Sequence, residues 1–237
     1  MIRKIYPAPV DTGAIQTEKS SSSDIASFVK AASQLSKETR GRLIFAMDAT
    51  MSRQPTWDKA VQTQASMFTT AGQKTGLSVQ LVYFRGYGEC RASKWVSNAQ
   101  ALATLMTGIE CRGGTTQLSK VLSHASKEHQ NKRVSALVFI GDAMEEDLDS
   151  LCQQAGKLGA QGVKAFMFQE GNDKQTEIAF REIARLSNGA YMRFDQNAAK
   201  SLEELLSAVA AYATGGKNAM TALRSKSSQV LLEQLKR

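Results

Sequence analysis

The chain has few of the residues that would mark several common protein classes. Cysteine occurs only three times in 237 residues, at Cys90, Cys111 and Cys152. The number is odd, the spacings are wide, and no Cys-x-x-Cys pair or Cys/His cluster exists. A disulfide framework and a zinc site are therefore not expected, and a reducing compartment is. Proline occurs three times, twice near the N-terminus at Pro7 and Pro9, which argues against long Pro-rich linkers. No run approaches the ~18 apolar residues of a membrane span, and residues 1–10 have no apolar core of signal-peptide length. These absences together lead to the expectation of a cytoplasmic protein. Gly-x-Gly-x-x-Gly and P-loop patterns are missing, so nucleotide binding has no support.

What is present describes a globular α/β chain: 42% hydrophobic residues, 22% charged, and enough length for one large domain with terminal extensions. The formal net charge is +8. Such a balance favours acidic partners, but the basic residues are scattered and lack interleaved aromatics, so nucleic acid is not the expected ligand. The most basic segment is the C-terminus, with Lys217, Arg224, Lys226, Lys236 and Arg237.

Residues 1–24, with Pro7, Pro9, Gly13 and serines at 20–23, read as an irregular arm. Residues 25–40 carry a helical pattern behind Asp24, a natural N-cap. Short apolar runs and amphipathic stretches then alternate. Strands are expected at 43–47 (LIFAM), 79–84, 134–140, 163–168 and 190–194, with a short one at 92–96. Helices are expected at 57–74, 98–108, 117–130, 148–158, 175–186 and 198–213, and a last one from Gly215-Gly216 to the C-terminus. The resulting division is a domain over 41–213 with a C-terminal helix over 214–237. Strands that are apolar throughout, separated by helices, specify a Rossmann-like, doubly wound, mainly parallel sheet of about six strands covered on both faces. Strand 43–47 should lie near its middle.

In such sheets ligands bind beyond the carboxyl ends of the strands. Three segments there carry oxygen ligands. Asp48-Ala49-Thr50-Met51-Ser52 follows the first strand; in extended chain the alternation turns Asp48, Thr50 and Ser52 to one point and Ala49 and Met51 to the core. Arg112-Gly113-Gly114-Thr115-Thr116 precedes a helix. Gly141-Asp142-Ala143-Met144-Glu145-Glu146 follows a buried strand. Singly, each is also what caps a helix, and Asp142 with Glu145 resembles a capping box. Together they offer carboxylates and hydroxyls without thiolate or imidazole, a hard-oxygen set suited to Mg²⁺, Mn²⁺ or Ca²⁺.

The segments DATMS at 48–52, GGTT at 113–116 and FIGDA at 139–143 resemble a von Willebrand factor type A domain with its metal-ion-dependent adhesion site, of the bacterial intracellular type. The resemblance spans roughly residues 41–213. It implies that Asp48, Thr50, Ser52, Thr115 and Asp142 surround one ion, Thr115 being chosen over Thr116 from the Gly-Gly-Thr pattern. Thr50 replaces the usual Ser, and Ala143 a common Gly. It also implies a protein-binding module, not an enzyme, in which the ion accepts an Asp or Glu of a partner protein. The alternatives are a Mg²⁺-dependent phosphatase or phosphotransferase, which needs a second carboxylate where Thr50 stands, and a nucleic-acid-associated binder. His124 and His129, five apart, do not share a helix face; they and the cysteines read as helix or packing residues. Trp57 and Trp95 read as core or rim, and Glu145, Glu146 and Asp149 as a solvated helix start.

Overall fold

The computed structural model describes residues 41–69, 76–194 and 199–235. The expected arm at 1–24 and helix at 25–40 lie outside them. In chain order the elements are β1 (Gly41–Asp48), a 3-10 turn (Met51–Arg53), α1 (Gln54–Thr63), β2 (Leu77–Arg85), β3 (Glu89–Ala92), α2 (Ala99–Thr107) and α3 (Leu118–Asn131). Then follow β4 (Ala136–Gly141), α4 (Leu148–Gln161), β5 (Lys164–Glu170), α5 (Lys174–Leu186), β6 (Ala190–Phe194), α6 (Ala199–Ala222) and α7 (Lys226–Gln234). Residues 65–69 are also helical.

The strands form one six-stranded sheet in the order β3-β2-β1-β4-β5-β6. Every pairing is parallel except that of the short edge strand β3 with β2. β1 and β4 form the central pair, and strand order reverses between them. All eight residues of β1 and all six of β4 are buried. Burial on both faces is why these strands are apolar without alternation. One apolar layer, including Phe45, Trp57, Leu102, Phe166 and Leu206, fills one side. The other, including Ile44, Phe84, Leu122, Phe139, Leu158 and Phe180, fills the opposite side. No helix among the described residues is long and apolar enough to cross a membrane.

The C-terminal region departs from expectation. Gly216 does interrupt the helical backbone (φ 65°, ψ −156°), but α6 continues to Ala222 before α7 begins. α6 and α7 also belong to the core: Met220, Leu231 and Leu235 are buried in the first layer. Gln234 on α7 reaches the edge strand β6 and makes both hydrogen bonds with one residue. Its Oε1 accepts from the Tyr191 amide at 2.8 Å and its Nε2 donates to the Tyr191 carbonyl at 2.8 Å. A side-chain amide thus completes peptide groups that a sheet edge would leave open. Periodicity found the segment helical but could not show that it docks.

Candidate functional site

Three loops meet at the carboxyl ends of β1 and β4, where strand order reverses. They enclose a cleft of about 220 Å³ lined by Asp48, Thr50, Met51, Ser52, Gly113, Gly114, Thr116, Asp142, Ala143 and Glu145. Asp48 ends β1 and is 3% exposed. Its Oδ1 accepts the Thr50 amide at 2.7 Å, a local turn that ends the strand. Thr50 Oγ1 lies 3.3 Å from Ser52 Oγ, which in turn donates to Asp142 Oδ2 at 3.3 Å. A continuous file of side-chain oxygens therefore runs between two strands whose loops are 90 residues apart.

Asp48, Thr50 and Ser52 converge as expected and Ala49 is buried, but Met51 does not enter the core. After Thr50 the chain enters the 3-10 turn Met51–Arg53. Met51 consequently points to solvent, 69% exposed, instead of into the core, and Arg53 takes the buried direction at 2%. A two-residue period cannot persist once the backbone coils.

The 113–116 loop is positioned by backbone contact with the β2–β3 hairpin. A Cβ on Gly114 would lie 2.2 Å from the Gly86 carbonyl oxygen, so only glycine fits. That oxygen accepts from the Thr115 amide at 3.2 Å and from Gln117 Nε2 at 3.2 Å. Thr115 is turned outward, exposed and away from the cleft; Thr116 is buried and lines it. Gly-Gly-Thr spacing selected the first threonine, whereas in the fold Glu145 holds the second one inward by its amide and hydroxyl.

Capping is handled by other residues, which separates the helix-capping reading from the ligand reading. Asp147, not Asp142, caps α4, accepting from the Ser150 amide at 2.8 Å. Glu145 accepts from the Thr116 amide at 2.9 Å and from its hydroxyl. Glu146 accepts from the amides of Leu118 and Ser119, at 3.0 Å for the latter, at the start of α3. Glu145 and Glu146, read from sequence as a solvated helix start, instead clamp the β4–α4 loop onto the N-terminus of α3. Met144, buried in the second apolar layer, anchors the same loop. No local pattern reveals these bonds, because their partners are 27 to 29 residues away.

Sequence reasoning also missed Arg53 and Glu170. Arg53 pairs with Glu170 at the end of β5, and its other terminal nitrogen lies 3.6 Å from Asp142 Oδ2. Thr56 of α1 donates to Glu170 as well. A second cleft, of about 540 Å³, adjoins the first and shares Ser52 and Asp142 with it; Arg53, Glu170, Asn172 and Arg193 also line it.

Burial pushes the Asp48 carboxyl up to about 6 from its ordinary value near 3.8, with the Asp142 charge adding a smaller push. The Thr50 hydrogen bonds and Arg53 oppose this. Such a group is costly to ionise without a cation beside it. The donors fit a hard cation: the carboxylates of Asp48, Asp142 and Glu145 and the hydroxyls of Thr50, Ser52 and Thr116 line the cleft, with no thiol or imidazole among them and the Met51 thioether the one sulfur. Among the described residues no three of His, Cys, Asp and Glu stand together as a metal cluster, so a metal here would depend on hydroxyl ligands.

The histidines lie outside this cleft, as do Cys90 and Cys152; the thiol of Cys111, next to the 112–116 loop, is held up to about 11 by burial first and by the nearby Asp48 charge second. His124 contacts Gln80 at 2.9 Å, and His129 contacts the Val134 backbone. The three cysteines are free and half-buried. Trp57 is buried, donating to the Met106 carbonyl; Trp95 stacks under Arg42 and donates to Glu128.

The architecture has clear counterparts among solved structures. The SpRpn10 VWA domain matches at 12% identity and TM-score 0.54, over 69% of this chain and 95% of that one. The vWF domain of the type V pili tip protein Mfa5 from Porphyromonas gingivalis matches at 8% identity and TM-score 0.55, over 71% and 94%. The fold is that of a von Willebrand factor type A domain. Proximal thread matrix protein 1 from the mussel byssus, with a zinc-occupied MIDAS motif, matches at 15% identity and TM-score 0.56, over 72% of this chain and 46% of that one. No family model and no curated protein matches the sequence.

Proposed function

We propose that this von Willebrand factor type A fold carries a protein-binding module whose carboxyl-edge cleft holds one divalent cation, Mg²⁺ first and Mn²⁺ or Ca²⁺ as substitutes. The observation that carries this reading is the convergence of Asp48, Thr50, Ser52 and Asp142 on one cleft, with helix capping assigned to Asp147. The fifth ligand is Thr116, in place of the Thr115 expected from the Gly-Gly-Thr pattern, because Thr116 faces the cleft. Its hydroxyl hydrogen goes to Glu145, which leaves its lone pairs for a cation. Bound there, the ion would supply a Lewis-acidic position open to an incoming carboxylate. The zinc-occupied motif of the byssus protein supports the class of site, not the ion.

The partner is a protein offering an Asp or Glu. The +8 net charge favours an acidic partner and steers its approach. Two exposed apolar side chains stand at the same edge: Met51, and Tyr87 at 89% exposure on the hairpin that supports the 113–116 loop. Residues of these types anchor interfaces. The role is binding without catalysis, in the reducing interior of the cell. The deciding experiment is a pull-down on the wild-type chain in Mg²⁺ and in EDTA, beside Asp48→Ala in Mg²⁺. Partner capture in the first condition alone is the expected result. Equal capture in all three would place the partner on another surface, and turnover of a generic phosphate ester would replace the binding role with hydrolysis.

A further inference from the structure

We infer that Arg53 is the residue that sets the charge of the cation site, so that the site, once loaded, accepts an acidic group; this rests on the metal-binding reading above. Three carboxylates occupy the carboxyl edge within reach of this one guanidinium. Asp48 and Asp142 face the cleft, and Glu170 stands behind Arg53 at the end of β5. Asp48, Glu170 and Arg53 are buried, and the Asp142 side chain is largely covered. With all four ionised the group carries two net negative charges, which a divalent ion neutralises. Without Arg53 it carries three, and the loaded site stays negative and repels a carboxylate. Glu145 also lines the cleft and accepts from Thr116, but it is exposed, so water screens its charge, which is the same with and without Arg53.

A plain structural brace explains these contacts less well. Desolvating an ion pair costs roughly what its attraction returns, and an apolar pair of the same volume would pack as stably. Arg53 also leaves its buried Nε without a hydrogen-bond acceptor among the described residues, a cost that bracing does not require. What an apolar pair cannot provide is a fixed positive charge between Glu170 and Asp142. Arg53 touches neither the ion nor the partner in this account. It acts through Asp142 and is a positioning residue that determines specificity.

The test measures two quantities on the full chain at pH 8. Titration calorimetry gives Mn²⁺ affinity. Water-proton relaxation of the Mn²⁺-loaded protein reports binding of the peptide acetyl-Gly-Asp-Gly-amide. Arg53→Gln should bind Mn²⁺ roughly tenfold more tightly and the peptide roughly tenfold more weakly. Glu170→Gln should move both the opposite way. Arg53→Gln with Glu170→Gln restores the net charge and should return both towards wild type, as should Arg53→Lys alone. The double variant and Arg53→Lys keep the test open if a single neutral variant fails to fold. Parallel loss of both affinities in Arg53→Gln, unrepaired by the double variant, would leave Arg53 a brace and overturn this inference alone. A wild type that binds no Mn²⁺ would overturn the metal reading and this inference together.

Discussion

The two ends of the sheet are both polar, and they use their polar groups differently. At the amino ends of β5 and β6 a cleft of about 610 Å³ is lined by Lys164, Arg181, Arg185, Tyr191 and Gln234. Several of these groups are engaged internally. Lys164 Nζ donates to the Asn188 carbonyl at 2.6 Å, Gln234 completes the Tyr191 backbone, and Arg181 lies over the Tyr191 ring while pairing with Glu177. At the carboxyl ends of β1 and β4 the side-chain oxygens mostly face each other across a cleft. One end is polar because it finishes the fold. The other keeps carboxylates and hydroxyls together at some cost, as the raised Asp48 shows.

Breaking the carboxyl end should abolish metal binding and spare the fold. Asp142→Ala and Asp48→Ala should each lower Mg²⁺ or Mn²⁺ affinity by about a hundredfold or more, since each removes a charge and a ligand. Calorimetry for affinity and circular dichroism for the fold decide the matter; unchanged affinity in either variant removes that residue from the site.

The next effect concerns pH. In the metal-free protein Asp48 sits near 6, above its unfolded value of 3.8. Folding therefore favours its protonated form. This stabilisation is complete below the unfolded value and is lost as pH rises through the folded one. Relative to Asp48→Asn, the wild type should lose on the order of 2–3 kcal/mol between about pH 4 and pH 7. Urea unfolding in EDTA at several pH values measures the difference. A constant difference would mean that Asp48 is not held as buried as it stands here. Divalent-metal affinity should correspondingly fall as pH drops below about 6.

Within the cleft, Thr116→Val should weaken Mn²⁺ binding about tenfold by removing a hydroxyl, whereas Thr115→Val should leave it unchanged. The reverse ranking would restore the Gly-Gly-Thr assignment. Thr50→Val should resemble Thr116→Val, and Thr50→Ser should be nearly silent because the hydroxyl remains. The opposite end provides the control with the smallest effect. Gln234→Ala should cost about 1–2 kcal/mol of stability by unpairing the Tyr191 backbone, with metal affinity unaltered. A change in metal affinity there would couple the two ends.

The comparison also separates what was legible in the residues. Apolar runs at 43–47, 79–84, 134–140 and 163–168 identified the inner parallel strands, because a strand covered on both faces has little polar option, and the run at 190–194 identified the edge strand, where Arg193 is exposed. The three segments DATMS, GGTT and FIGDA were legible as candidates because they follow or precede those elements. Met51 was misread because a period-two rule was carried three residues past the strand end, into the 3-10 turn. Arg53 and Glu170 carried no signal, since an arginine at the start of a helix and a glutamate at the end of a strand are ordinary surface residues until the fold buries them together.

The sequence by itself determined the sheet, its helical cover and the edge at which oxygen ligands collect, because periodicity and strand-end position are local properties of the chain. Tertiary structure alone decided which threonine faces the cleft, which acids cap helices and which remain available, and that one guanidinium lies between Glu170 and Asp142. Those outcomes depend on contacts 27 to 117 residues apart, where burial changes the energy of a charge and no neighbour in sequence records it.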